Sequence, residues 1–567
     1  MLNKSFVHVN TLGIGSEDRG AYAFPNHSKG TTERGVHVNG SISRRSFLTG
    51  TALLGTMAAL GTAGLAPAEA RADEANKTAG HHPVASETCD LVVVGGGTAG
   101  VSAAVRAAQL GANVVLLEKN GKTGGSSYFA EGVGGVNSYI HDTEGLHFEP
   151  LEVLARTEEY HHWAADANVL DHYIRASGAT INWLHNDCGI NFGEATITSP
   201  TSYPSWHLLA LPDGTLTRVG KGLIEPMTDL AVSLGASVRT LSPATGLIVE
   251  DGRVAGVYYE DHNDASHPEH APYADNVILA TGGYARNRDL FEEFTLLDFD
   301  RFYNYGAFGA TGDGITWARE LGAELHNPGT VMYSCTYVPH TQMFEDKINW
   351  MFSWQPVLHV NQDGRRFMNE QMATDFSIVS NSVIAQTKAF SVLDHGFLED
   401  VETVALPMGL DSVGYHTGEV LPGVIDALDA GAEKGIVFKS DTIEGLAQQM
   451  GVDVQTLAQT VAQYNEYAAA GNDPQFGCPA AAMHPVTRGP FYAAEIQPSI
   501  FTAVGGLRVD ENWHVLNTQG KRIEGLYALG NDASSQVGRD YDVGVMSGSQ
   551  QGWCATGGRL AAEDALV

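Results

Sequence analysis

Three glycines, Gly95, Gly97 and Gly100, follow directly on an apolar tetrapeptide, Leu91–Val94, and precede an apolar stretch that runs to Leu110. Glycine at this spacing permits a tight turn, close approach of backbone N–H groups to a pyrophosphate, and close packing of the next helix on the strand just left. The N-terminus of that helix adds its positive dipole end to the phosphate. Gly111 supplies the helix stop, and Asn113–Leu117 reads as a second apolar strand ending at Glu118. A carboxylate there can accept both hydroxyls of a ribose. Thr98, Ala99 and Lys119 complete this first set of binding candidates. A glycine fingerprint alone is weak. In strand–turn–helix–strand context, with the acid at its end, it predicts a dinucleotide site.

Four further stretches narrow the choice. "GKTGGSSYFAEGVGGVNS" (121–138) is a second glycine–serine loop just after the acid. "YADNVILATGGYARN" (273–287) is a strand running into Ala280-Thr281-Gly282-Gly283, and "GATGDGITWARELGA" (309–323) is a Gly-Asp-Gly turn into a helix. Near the end stands "GGLRVDENWHVLNTQGKRIEGLYALGND" (505–532). Together these resemble the flavoprotein family of soluble fumarate reductases, urocanate reductases and 3-ketosteroid dehydrogenases, from about residue 88 to the C-terminus. The resemblance implies FAD. It also implies an α/β fold, a Rossmann-type FAD-binding domain split in sequence with an inserted α+β capping domain.

By the same resemblance, Gly125, Ser126 and Ser127 lie near the pyrophosphate and ribityl chain, and Ala130 and Gly132 near the flavin ring. Ala244 touches the adenine, Thr281, Gly282, Gly283 and Asp313 contribute from the middle of the chain, and Gly530 closes on the pyrophosphate. Asn531 stands where relatives often carry Glu. Ser549 and Gln550 open a turn expected to aim N–H groups at the flavin C2 carbonyl.

The family's dicarboxylate-binding groups are missing where they are expected. Met332–Thr336 replaces a His-Pro-Thr pattern, Phe501-Thr502-Ala503 replaces a His, and Ala373-Thr374-Asp375 replaces Thr-Arg-Asp. A pocket without those charges desolvates a dicarboxylate at high cost, so fumarate is rejected. "GRDYDVG" (538–544) resembles instead the Gly-x-x-Tyr segment of 3-ketosteroid dehydrogenases, with Tyr541 as the matching tyrosine and Gly544 nearby. Tyr305 is a third catalytic candidate. The implied chemistry is oxidoreduction at a CH–CH or C=C bond: hydride exchange between flavin N5 and a carbon of an activated alkene, with a tyrosine polarising the conjugated carbonyl or supplying the proton. Reduction of an external unsaturated acceptor is expected first, 3-ketosteroid-type dehydrogenation second, and a flavin electron-transfer subunit without its own substrate third.

Elements and domains must position these groups. The reading is a leader and signal at 1–72, a linker at 73–87, the first FAD-domain part at 88–325, a cap at 326–489 and the second FAD-domain part at 490–567. Two cap helices, "DTIEGLAQQM" and "DVQTLAQTVAQYNEYAAAG", are each expected to start at an Asp cap. A net charge of −33 argues against nucleic acid or anionic membrane as partner. Five scattered cysteines offer no C-x-x-C, so no iron–sulfur, zinc or haem site is written and no metal is expected. The histidine-bearing loop at 261–272 reads as a solvated hairpin. Ser43-Arg44-Arg45-Ser46-Phe47-Leu48, the soft apolar run to Leu65 and small-residue cleavage sites resemble a twin-arginine export signal. That route accepts folded, cofactor-loaded cargo. The protein is therefore expected outside the cytoplasmic membrane without a permanent anchor, taking electrons from a separate haem- or quinol-linked partner.

Overall fold

The computed structural model describes residues 81–197, 202–344, 346–409, 414–541 and 544–567. The leader, with Arg44, Arg45 and the apolar run after them, lies outside the described residues. Among those described, no helix is long and apolar enough to cross a membrane.

A six-stranded sheet organises the cofactor half. Its spatial order is His514–Leu516, Arg522–Ala528, Asn276–Leu279, Leu91–Val94, Val114–Leu117 and Ser237–Arg239. All neighbours are parallel except the edge pair of His514–Leu516 with Arg522–Ala528. The central strands Leu91–Val94 and Val114–Leu117 are buried throughout, as the unbroken apolar runs require of a sheet covered on both faces. Register aligns Val94 with Leu117 and with Leu279, and Leu279 with Ala528. Gly95, Glu118, Ala280 and Leu529 therefore leave the sheet along one edge, the carboxyl edge where open parallel sheets bind ligands.

The helix Thr98–Gln109 starts at Gly97 without a side-chain cap. It packs against the C-terminal helix Ser549–Ala565, and a Cβ on Gly558 would lie 2.4 Å from the Ala99 carbonyl oxygen. Beside them an antiparallel sheet joins Gly132–Gly134 to Trp206–Ala210, which pairs in turn with Asn191–Thr196 and Leu216–Thr217.

The cap has its own sheet, whose long strand Phe491–Ala503 pairs with Ala389–Asp394, Val331–Tyr337, Phe438–Ser440 and Tyr303–Asn304. Two of these strands, Phe491–Ala503 and Tyr303–Asn304, fall outside the 326–489 window expected for the cap. The cap sheet thus draws on chain segments from both sides of that window. Likewise Ala85–Thr88, set down as the end of a linker, is a strand parallel to Glu269–Tyr273. The helix Val454–Ala470 starts at Asp453 as expected, its carboxylate accepting from Thr456 N. The helix Ile443–Met450 is capped by Thr442, not by Asp441, with the Thr442 hydroxyl accepting from Gly445 N. The five cysteines are unpaired, four of them buried. The loop after Arg253–Glu260 is a hairpin, and His262 there bonds Glu260 and stacks on His267.

Candidate active site

At the carboxyl edge of the parallel sheet a narrow cradle of about 80 Å³ is lined by backbone and small side chains. Gly95 has φ +104° and a Cβ there would stand 2.1 Å from the Ala280 carbonyl oxygen; a Cβ on Gly100 would stand 1.9 Å from Gly95 O. The turn therefore needs glycine at both positions. Gly97, Thr98, Ala99, Glu118, Lys119, Gly125, Ser126, Ser127, Ala244, Thr281, Gly282, Asp313, Gly530 and Asn531 all border this cradle. Gly100 and Gly283 stand behind it: the first lets helix and strand close up, the second packs on Asn531 and Ala503.

Glu118 is buried; one carboxylate oxygen accepts from Gly96 N at 2.9 Å and the other from Asn120 N at 2.8 Å and Asn120 Nδ2 at 2.7 Å. Those donors fix the carboxylate at the sheet edge, and its remaining lone pairs suit ribose hydroxyls. Lys119 is turned to Asp313 at 2.8 Å and the Thr311 hydroxyl at 2.7 Å, so it braces the cradle wall. Asp532, which the sequence reading passed over, ties the edge together. It accepts from the Thr281 hydroxyl and from Gly283 N, both at 2.9 Å, and burial pushes its carboxyl up to about 6.

Ser126, Ser127 and Asn531 also border a second cavity of about 450 Å³ that continues from the cradle toward the cap. Ala130, Gly132 and Gln550 line it. A polar chain crosses this junction: Asn531 Nδ2 donates to the Thr502 hydroxyl at 2.9 Å, and Gln550 Nε2 donates to Asn531 Oδ1 at 2.8 Å. Asn531 is thus spent on orienting Gln550 and Thr502. The cradle's shape, its uncapped helix start and its fixed acid fit an adenine dinucleotide, and the adjoining cavity fits the ring that would project from it.

One wall is a run of aromatic rings from separate segments. Tyr303 meets Tyr305 at 4.4 Å between centroids, Tyr305 meets Phe501 at 6.0 Å, Phe501 meets Phe376 at 6.1 Å, and Phe376 meets Trp354 at 5.6 Å. Trp354 then meets Phe344 at 6.1 Å, and the Arg218 guanidinium lies 5.4 Å over the Phe344 ring. Tyr333 and Tyr337 are buried outside the wall, Tyr337 donating to Thr341 O.

Tyr541 lines the cavity and is buried. Its hydroxyl accepts from Gln550 N, at the start of the C-terminal helix, at 3.4 Å. Of the N–H groups in the 548–553 turn, that of Gln550 meets the tyrosine. The Tyr541 segment is pinned to the cap: Ser377 Oγ donates to Tyr541 O at 3.0 Å, and Asn381 Nδ2 to Asp540 Oδ1 at 2.7 Å. Gly544 does not reach the cavity wall. It packs where a Cβ would meet Asp375 Oδ2 at 2.5 Å, with Tyr160 donating to the same carboxylate. Ser549 is also off the wall, its carbonyl accepting from the Tyr173 hydroxyl.

The sequence reading missed two charged groups on the cavity, Glu131 and Arg218. Burial pushes the Glu131 carboxyl up to about 7 against the opposing pull of Arg218. An acid inside an otherwise glycine- and serine-rich loop was the available signal.

A family model described as an FAD binding domain matches residues 90–544. A vinyl phenol reductase of Lactiplantibacillus plantarum is 33% identical over 83% of this chain and 95% of its own length. A urocanate reductase of Eggerthella lenta is 26% identical over 79% of this chain and 70% of its own. Among solved structures, a 3-ketosteroid Δ1-dehydrogenase from Sterolibacterium denitrificans superposes with a TM-score of 0.70 at 21% identity, covering 84% of this chain and 99% of that one.

Proposed function

The chain belongs to the FAD binding domain family and is an FAD-dependent oxidoreductase of the fumarate reductase and ketosteroid dehydrogenase group, and from that premise we propose that it reduces the C=C bond of an aryl alkene. The observation that carries this reading is the aromatic wall running from Tyr303 to Phe344 beside the flavin-ring end of the cavity. Rings stack on rings with centroids about 4.5–7 Å apart, and this wall offers such faces along its length. The vinyl phenol reductase relative supports the same substrate class.

FAD held in the cradle and reduced by the external donor would supply the hydride. The chain's own residues do the rest. Tyr541 delivers or holds the proton, its hydroxyl oriented by the Gln550 N–H. Gln550, Asn531 and Thr502 keep the polar junction in register. Met332, Phe501 and Thr502 stand on the cavity where a fumarate reductase would need cationic groups. Arg218 is the one arginine or lysine among the described residues that line the cavity, so a dicarboxylate still lacks a paired clamp.

We place the reaction outside the cytoplasmic membrane, reached by the twin-arginine route, with electrons from a separate donor. The Arg44-Arg45 signal supports this. Ketosteroid dehydrogenation is the competing reading and rests on the Tyr541 segment. The test is anaerobic. Dithionite-reduced holoprotein is mixed with para-hydroxystyrene, para-methoxystyrene, fumarate and an oxidised ketosteroid, a 1,4-diene-3-one. Rapid flavin reoxidation by the styrenes is expected. Reoxidation by fumarate or the steroid alone overturns the proposal.

A further inference from the structure

The aromatic wall ends at one charged pair. Glu131 and Arg218 both line the cavity, and each is half-buried. Both are held by their backbones. Glu131 O accepts from Leu209 N at 3.0 Å, and Val219 N, next to Arg218, donates to Ala130 O at 2.7 Å. The residue after Arg218 is thus tied directly to the residue before Glu131. Arg218 reaches from there across the Phe344 ring of the opposite side. Among the described residues no neighbouring side chain donates to the Glu131 carboxylate.

The chemistry of the pair sets what it accepts. A substrate carboxylate gains from Arg218 but is repelled by Glu131. An ammonium group meets the reverse. A group that both donates and accepts, and carries no charge, satisfies both partners at once: its O–H gives to Glu131 and its oxygen accepts from Arg218. An alcohol on a flexible chain has no use for the rings beside it, whereas a hydroxyl carried on an aromatic ring uses both. A buried polar group built to meet a hydroxyl also rejects the analogue that lacks it, because the group is then left unpaired.

We propose that Glu131 and Arg218 form a hydroxyl-recognising subsite that selects a phenolic ring, and so a para-hydroxyaryl alkene over its ether or its carboxylated counterpart. This rests on the aryl-alkene reading of the cavity. The raised Glu131 carboxyl agrees with it, since a carboxylate kept poorly solvated gains most from a donated hydrogen bond.

The test reads binding apart from turnover. Oxidised holoenzyme is titrated with para-ethylphenol and with para-ethylanisole, neither of which can be reduced, and the flavin absorption shift gives each Kd. Wild type is expected to bind the phenol at least tenfold more tightly, and Glu131→Gln to bring the two within threefold at unchanged FAD content. Arg218→Gln is the second variant and is expected to cut the preference in the same assay. Equal Kd values in wild type, or a preference that survives both substitutions, overturns the subsite. If styrenes reoxidise the reduced enzyme while that preference is absent, only the subsite falls. If the preference is present and depends on Glu131 while no styrene reoxidises the flavin, the subsite stands as a phenol site and the aryl-alkene reading falls.

Discussion

The cradle at the strand ends and the cavity under the cap share Ser126, Ser127 and Asn531, yet they are built from different material. The cradle is mostly backbone: glycines whose missing Cβ atoms leave room, strand ends placed by register, and one acid clamped by N–H groups. The cavity is mostly side chains, with rings from separate segments and a single acid–base pair near Phe344. The cradle therefore has almost no freedom to change without losing its ligand. The cavity can change wall by wall and keep the fold. Family members that share a cofactor and differ in substrate are what this division permits.

The largest effect should come from breaking the cradle. Gly95→Val puts a branched side chain where a Cβ alone would stand 2.1 Å from the Ala280 carbonyl oxygen, at a φ of +104°. The atoms it would meet are all backbone of Ala280 and Thr281, so no flexible side chain can give way. The expected outcome is protein without flavin, read as loss of yellow colour after purification and mostly insoluble expression. A soluble, fully loaded variant would mean the strand edge is more plastic than the register suggests.

Next is the cavity's own group. Tyr541→Phe keeps the ring and removes the hydroxyl that accepts from Gln550 N. Turnover should fall roughly 10²–10⁴-fold, the usual share of acid catalysis, with FAD content and Tm nearly unchanged. Tyr305→Phe, on the aromatic wall of the same cavity, should stay within a few-fold of wild type. The reverse pattern would move the proton donor to the cap side of the cleft.

These two predictions track what could be read in the sequence. The cradle was legible because its parts are local: a strand, a turn and a helix within Leu91–Gln109, and Glu118 at the end of the next strand. The cavity was half legible. Tyr541 and Tyr305 reach it, but Gly544 packs on Asp375 instead. Glu131 stood within the glycine-rich stretch 121–138, yet nothing in the spacing showed that its carboxylate would face Arg218 across a space. That juxtaposition depends on pairing between Gly132–Gly134 and Trp206–Ala210, a long-range contact with no local signature. Asp532 was hidden in the same way, since its partners Thr281 and Gly283 come from the middle of the chain. The cap sheet also draws on Tyr303–Asn304 and Phe491–Ala503, from either side of the 326–489 window, through long-range pairing that has no local signature.

A smaller effect should come from Glu118. Glu118→Ala leaves the glycine turn intact but removes the carboxylate that meets Gly96 N and Asn120 N. FAD affinity should fall by about 1–3 kcal/mol, the range for a lost hydrogen bond to a charged group, measured by equilibrium loading of apoprotein. Steady-state turnover at saturating FAD should be close to wild type, which would separate holding the cofactor from working on the substrate.

The smallest expected effect is a difference in pH response between the halves. His359 sits in the cap sheet, its Nδ1 at 2.6 Å from Val357 O, and burial lowers its pKa from 6.5 to about 4. It stays neutral in the fold while the unfolded chain takes up a proton. Its contribution is complete above pH 6.5 and is lost as the pH falls toward 4. Asp532 in the cradle runs the other way, because burial raises its carboxyl from 3.8 to about 6. Its contribution is complete below pH 3.8 and is lost as the pH rises through 6. Between pH 7 and pH 5, wild type should therefore lose about 2 kcal/mol relative to His359→Gln and gain about 1 kcal/mol relative to Asp532→Asn, each variant lacking one titration. Urea unfolding of wild type and both variants at the two pH values measures the differences. Shifts of the same sign would show that the buried groups are not titrating as their surroundings demand, and that cradle and cap respond to acid alike.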